Sequence, residues 1–147
     1  MSAKSRWQPR ILLIEDNEHR IALFRDWLKG SPFILVEATS GGQAMGVVQK
    51  GSEGIAGVCL DHDLNSRPRT QSDEWVSGSD VVNAIVANLP KWVPVLVHSM
   101  NVTHAPMMVK RLQGAGFAAS RIRMAALDRE RFLNWLTILA IAVGLAR

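Results

Sequence analysis

Three short polar runs, each following an apolar stretch, hold most of the residues in this sequence that could do chemistry. They are Glu15 and Asp16, then "DHD" (Asp61, His62 and Asp63), then "HSMN" with His98, Ser99 and Asn101. Carboxylates gathered in one place repel unless they are protonated or share a cation. A cluster drawn from Glu15, Asp16, Asp61 and Asp63 therefore suits a hard divalent ion, Mg²⁺ or Mn²⁺, which takes oxygen ligands and is normally shared with substrate phosphate. Histidines titrate near neutrality, so His62 and His98 are candidates for general acid and base. Plainer roles stand beside these. Glu15 and Asp16 could cap the next helix through Asp16 or Asn17, and His98 could be a strand-end histidine satisfied by a backbone carbonyl. Ser99 and Asn101 are common loop residues whose roles depend on the whole constellation.

The elements around these runs decide whether they can meet. "RILLIED" is a short apolar run stopped by two acids, the pattern of a parallel strand buried on both faces. "NEHRIALFRDWLKG" follows with Ile21, Phe24 and Leu28 on one helical face and Gly30 as a stop. "FILVEA" predicts a second strand. Ser40 and Gln43 stand at capping-box spacing before a helix that turns Ala44, Val47 and Val48 inward and ends at Gly51. "IAGVCLD" predicts a third strand, and the long polar stretch after it predicts a loop over the strand ends. From Ser79 a helix carries Val82, Ile85, Val86 and Leu89, stopped by Pro90. "VPVLVHS" is a fourth strand, Pro106 opens a further helix, and "SRIRMAA" reads as a fifth strand. The last helix starts near Asp128 and sets Phe132, Trp135, Leu136 and Leu139 on one face.

Five βα units predict an α/β fold, a doubly wound five-stranded parallel sheet with helices on both faces and right-handed crossovers. Such sheets bind ligands outside the carboxyl ends of their strands, where the strand order switches. All three polar runs fall at strand ends.

Composition bounds the rest. The 147 residues suit a single domain over 1–147, with residues 1–9 expected to form a flexible N-terminal segment. Seventeen Lys and Arg against thirteen Asp and Glu give a formal charge of +4, a bias toward anionic partners too spread out to name one. Cys59 has no second cysteine to pair with and lies in an apolar run, which suits a buried small hydrophobe in a reducing compartment. The N-terminus lacks the apolar core of a signal peptide and no stretch reaches the roughly 18 apolar residues of a membrane span, so the expectation is a cytoplasmic protein. In the last helix Leu133, Ile138, Ile141 and Leu145 fall off the main apolar face, which suggests a homodimer or partner surface.

In element order the chain resembles the receiver domains of two-component response regulators, which share the flavodoxin-like fold. The matching pieces are "LLIEDNE", "VCLDHDL" and "PVLVHS". The resemblance implies that Glu15, Asp16 and Asp61 hold Mg²⁺ with help from the Asp63 carbonyl, that Asp61 is the phosphoacceptor position and that Ser99 is the switching hydroxyl. Two features depart from it. Receivers end their fifth strand in a lysine that pairs with the phosphoryl group, whereas "RIRMAAL" has none, and Arg123 falls within the expected strand. Ordinary receivers also need neither "DHD" nor "HSMN", and their loop is shorter than residues 65–77. His62 with its flanking aspartates, together with His98, Ser99 and Asn101, is similar to a divergent receiver group that processes cyclic phosphates beside RNA repair and nucleotide systems.

The chemistry agrees with that likeness. Opening a 2′,3′-cyclic phosphate needs a base to activate water and an acid to protonate the leaving ribose oxygen, roles His62 and His98 could share in either order. Ser99, Asn101 and the metal would stabilise charge on the non-bridging oxygens. Three functions stand at this point. One is a phosphoesterase or binding module for cyclic phosphate on a small nucleotide or RNA end. The others are a stand-alone receiver phosphorylated on Asp61, part of a phosphorelay, and an inactive receiver fold serving as an interaction module.

Overall fold

The computed structural model describes residues 8–50, 53–61 and 78–142. The chain alternates strand and helix: β1 (Arg10–Ile14), α1 (Glu18–Leu28), β2 (Ile34–Ala38), α2 (Gly41–Lys50), β3 (Ile55–Leu60), α3 (Gly78–Asn88), β4 (Val95–Val97), α4 (His104–Gly114), β5 (Ala119–Arg121) and α5 (Arg129–Ala142). A single 3-10 turn at Met124–Ala126 precedes α5. The strands form one sheet in the order β2-β1-β3-β4-β5, and every pairing is parallel. This is the expected doubly wound sheet, and the order switches between β1 and β3.

Its two faces bury separate cores. Leu12, Ile14, Val58, Leu60, Val95 and Val97 pack against α2, α3 and α4 through Ala44, Val48, Val82, Ile85, Met108 and Leu112. Ile11, Leu13, Cys59 and Leu96 face α1 and α5 through Ile21, Phe24, Trp27, Phe132, Leu136 and Leu139. Alternation along β1 and β4 thus assigns the residue just past each strand to a face. Glu15 and His98 continue the odd and even series that point toward α1.

Close packing on the α1 side depends on one glycine. A Cβ on Gly57 would stand 2.3 Å from Leu139 Cδ1 and 3.0 Å from Trp135 Cη2. The β1–β3 ladder also shifts here, pairing Arg10 with Ile55 and Ile11 with Gly57 and skipping Ala56.

Local signals explain most helix starts. Asn17, not Asp16, caps α1 by accepting the Arg20 N–H at 3.0 Å, which leaves both acids to the pocket. Ser40 Oγ accepts from Gln43 N at 3.1 Å, and Gln43 reaches back to the Thr39 N–H at 2.7 Å. Asp128 Oδ1 accepts from Arg131 N at 2.9 Å to open α5.

The structure corrects two expectations of the sequence. The fifth strand is Ala119–Arg121 rather than residues 120–126, so Arg123 lies beyond it, at the entry to the 3-10 turn. The regular ladder with β4 covers three residues, and beyond it Ile122 N still donates to Val97 O at 3.1 Å and Met124 N to His98 O at 3.0 Å as the chain enters the 3-10 turn. Helix α4 begins at His104, two residues before Pro106, because Asn101 supplies the acceptor that starts it.

On α5 the expected inward face is largely as read, with Phe132, Leu136 and Leu139 buried. Leu133 is partly buried against the same core, while Ile138 and Ile141 stand 68% and 63% exposed. Leu145 lies outside the described residues. Among the described residues no helix is long and apolar enough to cross a membrane.

Candidate functional site

Backbone hydrogen bonds carry the sheet one residue past its strands and thereby fix the site. Glu15 N donates to Ala38 O at 3.1 Å, Asp61 N to Ile14 O at 3.0 Å and His98 N to Leu60 O at 3.0 Å. Each residue is held as rigidly as a strand position while its side chain sits at the carboxyl edge, on both sides of the β1/β3 switch.

Three carboxylates converge there. Oxygens of Glu15, Asp16 and Asp61 lie within 4.8 Å of one another, and all three residues are buried. Such a set of hard oxygen donors suits a cation of the Mg²⁺ type. Asp63, the fourth expected ligand, and His62 lie outside the described residues.

Glu15 is held at both oxygens. Oε2 accepts the backbone N–H groups of Asp16 and Asn17, each at 3.1 Å. Oε1 lies 2.9 Å from His98 Nε2, and neither side chain has any exposed surface. Facing a carboxylate, Nε2 carries the ring proton in this bond. Nδ1 has no hydrogen-bond partner among the described residues. The imidazole is wedged against Phe24, with ring centroids 5.1 Å apart. Burial by itself raises the Glu15 pKa. The His98 hydrogen bond and charge, the Asn17 N–H and the Arg20 charge outweigh it, so the carboxyl titrates below its ordinary range.

Ser99 is fully buried, and its Oγ accepts the Asn101 N–H at 3.0 Å. Asn101 Oδ1 in turn accepts from Thr103 N at 3.0 Å and His104 N at 2.7 Å, a local turn that starts α4. The structure therefore brings Glu15, Asp16, Asp61 and His98 together, and shows the Asn101 side-chain oxygen holding a helix terminus.

Two arginines take part that the sequence did not single out. Arg20, in the first turn of α1, places Nη1 3.7 Å from Glu15 Oε1 and 3.6 Å from Asp61 Oδ2. Its position, one helical turn after Asp16, was the available signal. Arg121, the last residue of β5, donates from Nη2 to Ser99 O at 3.2 Å. It occupies the strand end where a lysine was expected, with its guanidinium engaged on a backbone carbonyl. Cys59 is fully buried, and burial pushes its thiol pKa far up, as suits an inert core residue.

Strand order, helix placement and acidic edge together define the receiver fold. Within that class the sequence matches the family model of the cyclic-phosphate processing receiver domain over residues 11–114, and the chain belongs to this family.

Several solved structures similar to it are receivers. The signal receiver domain of a putative LuxO repressor protein from Vibrio parahaemolyticus is 20% identical, with 92% of each chain covered and a TM-score of 0.67. The receiver domain of a sensor histidine kinase from Pseudomonas aeruginosa, determined with magnesium in its active-site cleft, is 17% identical, with 93% of this chain and 98% of that one covered and a TM-score of 0.65. The response regulator domain of Thermotoga maritima CheB is 13% identical, with 95% and 99% covered and a TM-score of 0.64. At these identities the likeness is one of fold. No curated protein matches the sequence.

Proposed function

We propose that this domain hydrolyses a cyclic phosphate ester, on a nucleotide or an RNA end, at a metal-dependent pocket built on Glu15, Asp16 and Asp61. The observation that carries the reading is the convergence of these three buried carboxylates at the β1/β3 switch, in a chain of the cyclic-phosphate processing receiver family. Three oxygen donors this close fit Mg²⁺ or Mn²⁺, and the Asp63 carbonyl is the further ligand that the receiver resemblance implies. Bound there, such an ion would withdraw charge from the phosphate and favour attack at phosphorus.

The protein's own residues divide the remaining work. His98 holds one oxygen of Glu15 and two backbone N–H groups hold the other, so that carboxylate enters the pocket already oriented. With no exposed surface, His98 acts through Glu15 rather than on the ester. Direct proton transfer falls to His62, the residue after Asp61. Water adds to phosphorus, one P–O bond to the ribose breaks, and the proton lost by the water is returned to the departing ribose oxygen, giving a monoester.

The test is incubation of a 2′,3′-cyclic nucleotide with the protein in Mg²⁺. A monoester should form with the wild type and be absent with Asp61→Asn; turnover by Asp61→Asn equal to wild type would overturn the reading. A second reading, phosphorylation of Asp61 itself, is favoured by the place of that residue at the end of β3 in a receiver fold. A small phosphodonor would then leave an acyl phosphate visible by intact mass and lost in Asp61→Asn.

A further inference from the structure

The acid cluster is faced by a cation with two neighbourhoods. The Arg20 guanidinium stands at ion-pair distance from Glu15 and Asp61, yet its side chain keeps 33% of its surface exposed at the rim of the pocket. The same residue, with His19, also lines a hollow of about 270 Å³ between α1 and the segments that follow β4 and β5. Leu23, Met100, Met124, Ala125 and Leu127 form the apolar wall of that hollow. Ala125 N packs onto the Met100 sulfur at 3.4 Å, which joins the two segments.

We propose that Arg20 is the phosphate-binding residue of the pocket and marks the division of a two-part site. Phosphate lies on the acid side, and the organic group of the ester lies in the hollow. This rests on the phosphate-ester reading above and names the residue and subsite that recognise the ligand. The physical argument is one of exchange. Without a divalent cation, Arg20 offsets the charge of the carboxylates. Once a cation draws on Glu15 and Asp61, a guanidinium less than 4 Å from those same carboxylate oxygens loses its attraction to them and needs a new anion. A phosphate arriving on the same cation supplies oxygens that the planar fork of an arginine can grip with two parallel hydrogen bonds. Arg20 so takes the charge role open at the end of β5, where Arg121 is turned onto the Ser99 carbonyl. Beyond Arg20, the hollow has room for a sugar or base and offers it methionine and leucine surface.

Exchange predicts effects of opposite sign, which a merely structural arginine would not produce. Calorimetric titration with Mn²⁺ alone, then of the Mn²⁺-loaded protein with inorganic phosphate and with 2′,3′-cyclic AMP, reads them out. In Arg20→Met, Mn²⁺ should bind more tightly while both phosphate ligands weaken by about tenfold, the scale of one charge-assisted contact. Arg20→Lys should recover part of the phosphate affinity. Ala125→Trp, which fills the hollow, should weaken the cyclic nucleotide and leave inorganic phosphate unchanged. Phosphate affinity unaltered in Arg20→Met, or Mn²⁺ and phosphate weakened together, would overturn the assignment, as would a loaded wild type that binds neither phosphate ligand. Equal weakening of both ligands by Ala125→Trp would remove the organic group from the hollow. Arg20-dependent binding without turnover supports this inference and counts only against hydrolysis.

Discussion

His98 Nε2 lies 2.9 Å from Glu15 Oε1 with both side chains closed to solvent, so a buried imidazole from β4 fixes a carboxylate from β1 across the intervening β3. A charge held this way is costly to leave alone. Truncating His98→Ala should destabilise the fold by about 2 kcal/mol, the scale of a lost buried hydrogen bond to a charged group, read as a lower denaturant midpoint. In a double-mutant cycle with Glu15→Ala the two effects should fall short of additive by about 1 kcal/mol or more. Additive losses would mean the contact couples nothing.

The Glu15 carboxyl also sets a pH dependence. Its folded pKa lies below the ordinary 4.5, so the unfolded chain binds this proton more readily. The stabilisation it provides is complete above about pH 4.5 and is lost as pH falls through the lower folded value. Acid unfolding followed by circular dichroism in chelator should show a shallower acid limb for Glu15→Gln than for the wild type. Identical limbs would contradict the shift.

Gly57 is expected to tolerate no side chain. Ala at this position meets Leu139 and Trp135 inside contact distance, and overpacking of this kind costs about 1 to 3 kcal/mol. Thermal unfolding of Gly57→Ala should fall by several degrees in the wild-type background and by less in a Leu139→Ala background, where the facing side chain is gone. Losses that simply add would place the clash elsewhere.

Asn101→Ala removes the acceptor for Thr103 N and His104 N. It should cost about 1 kcal/mol, the worth of a helix-start acceptor, while Asn101→Asp keeps the oxygen and most of the stability. Urea denaturation of the two variants checks the order. Equal losses would show that the amide nitrogen, rather than the oxygen, matters at this position.

The sequence was most legible where local rules and burial agree. Arg10–Ile14 and Ile55–Leu60 are central parallel strands, buried on both faces, and their unbroken apolar runs followed by acids specify both strand and site. The Ser40–Gln43 box spelled out its own helix start. Reading was weakest at the sheet edge. "SRIRMAA" alternates like a strand, yet the regular ladder ends at Arg121 and the chain winds into a 3-10 turn at Met124–Ala126, a change that spacing does not carry. Asn101 was expected to stabilise charge on a phosphate oxygen; that its side-chain oxygen also accepts from Thr103 N and His104 N at the start of α4 is seen only in the structure. The local pattern alone did not single out Arg20; only the meeting of β1 and β3 shows that two acids lie in its reach.

The central claim is a cyclic phosphate opened by this pocket, with His62 moving the proton. It is tested most directly by following 2′,3′-cyclic AMP by ³¹P NMR in Mg²⁺ with wild-type protein and with His62→Ala. The account predicts that the cyclic phosphate resonance gives way to a monoester in the wild type, while His62→Ala slows this by about a hundredfold or more, the usual worth of a general acid or base. A cyclic resonance that persists with wild-type protein, or that disappears equally fast with His62→Ala, would contradict it.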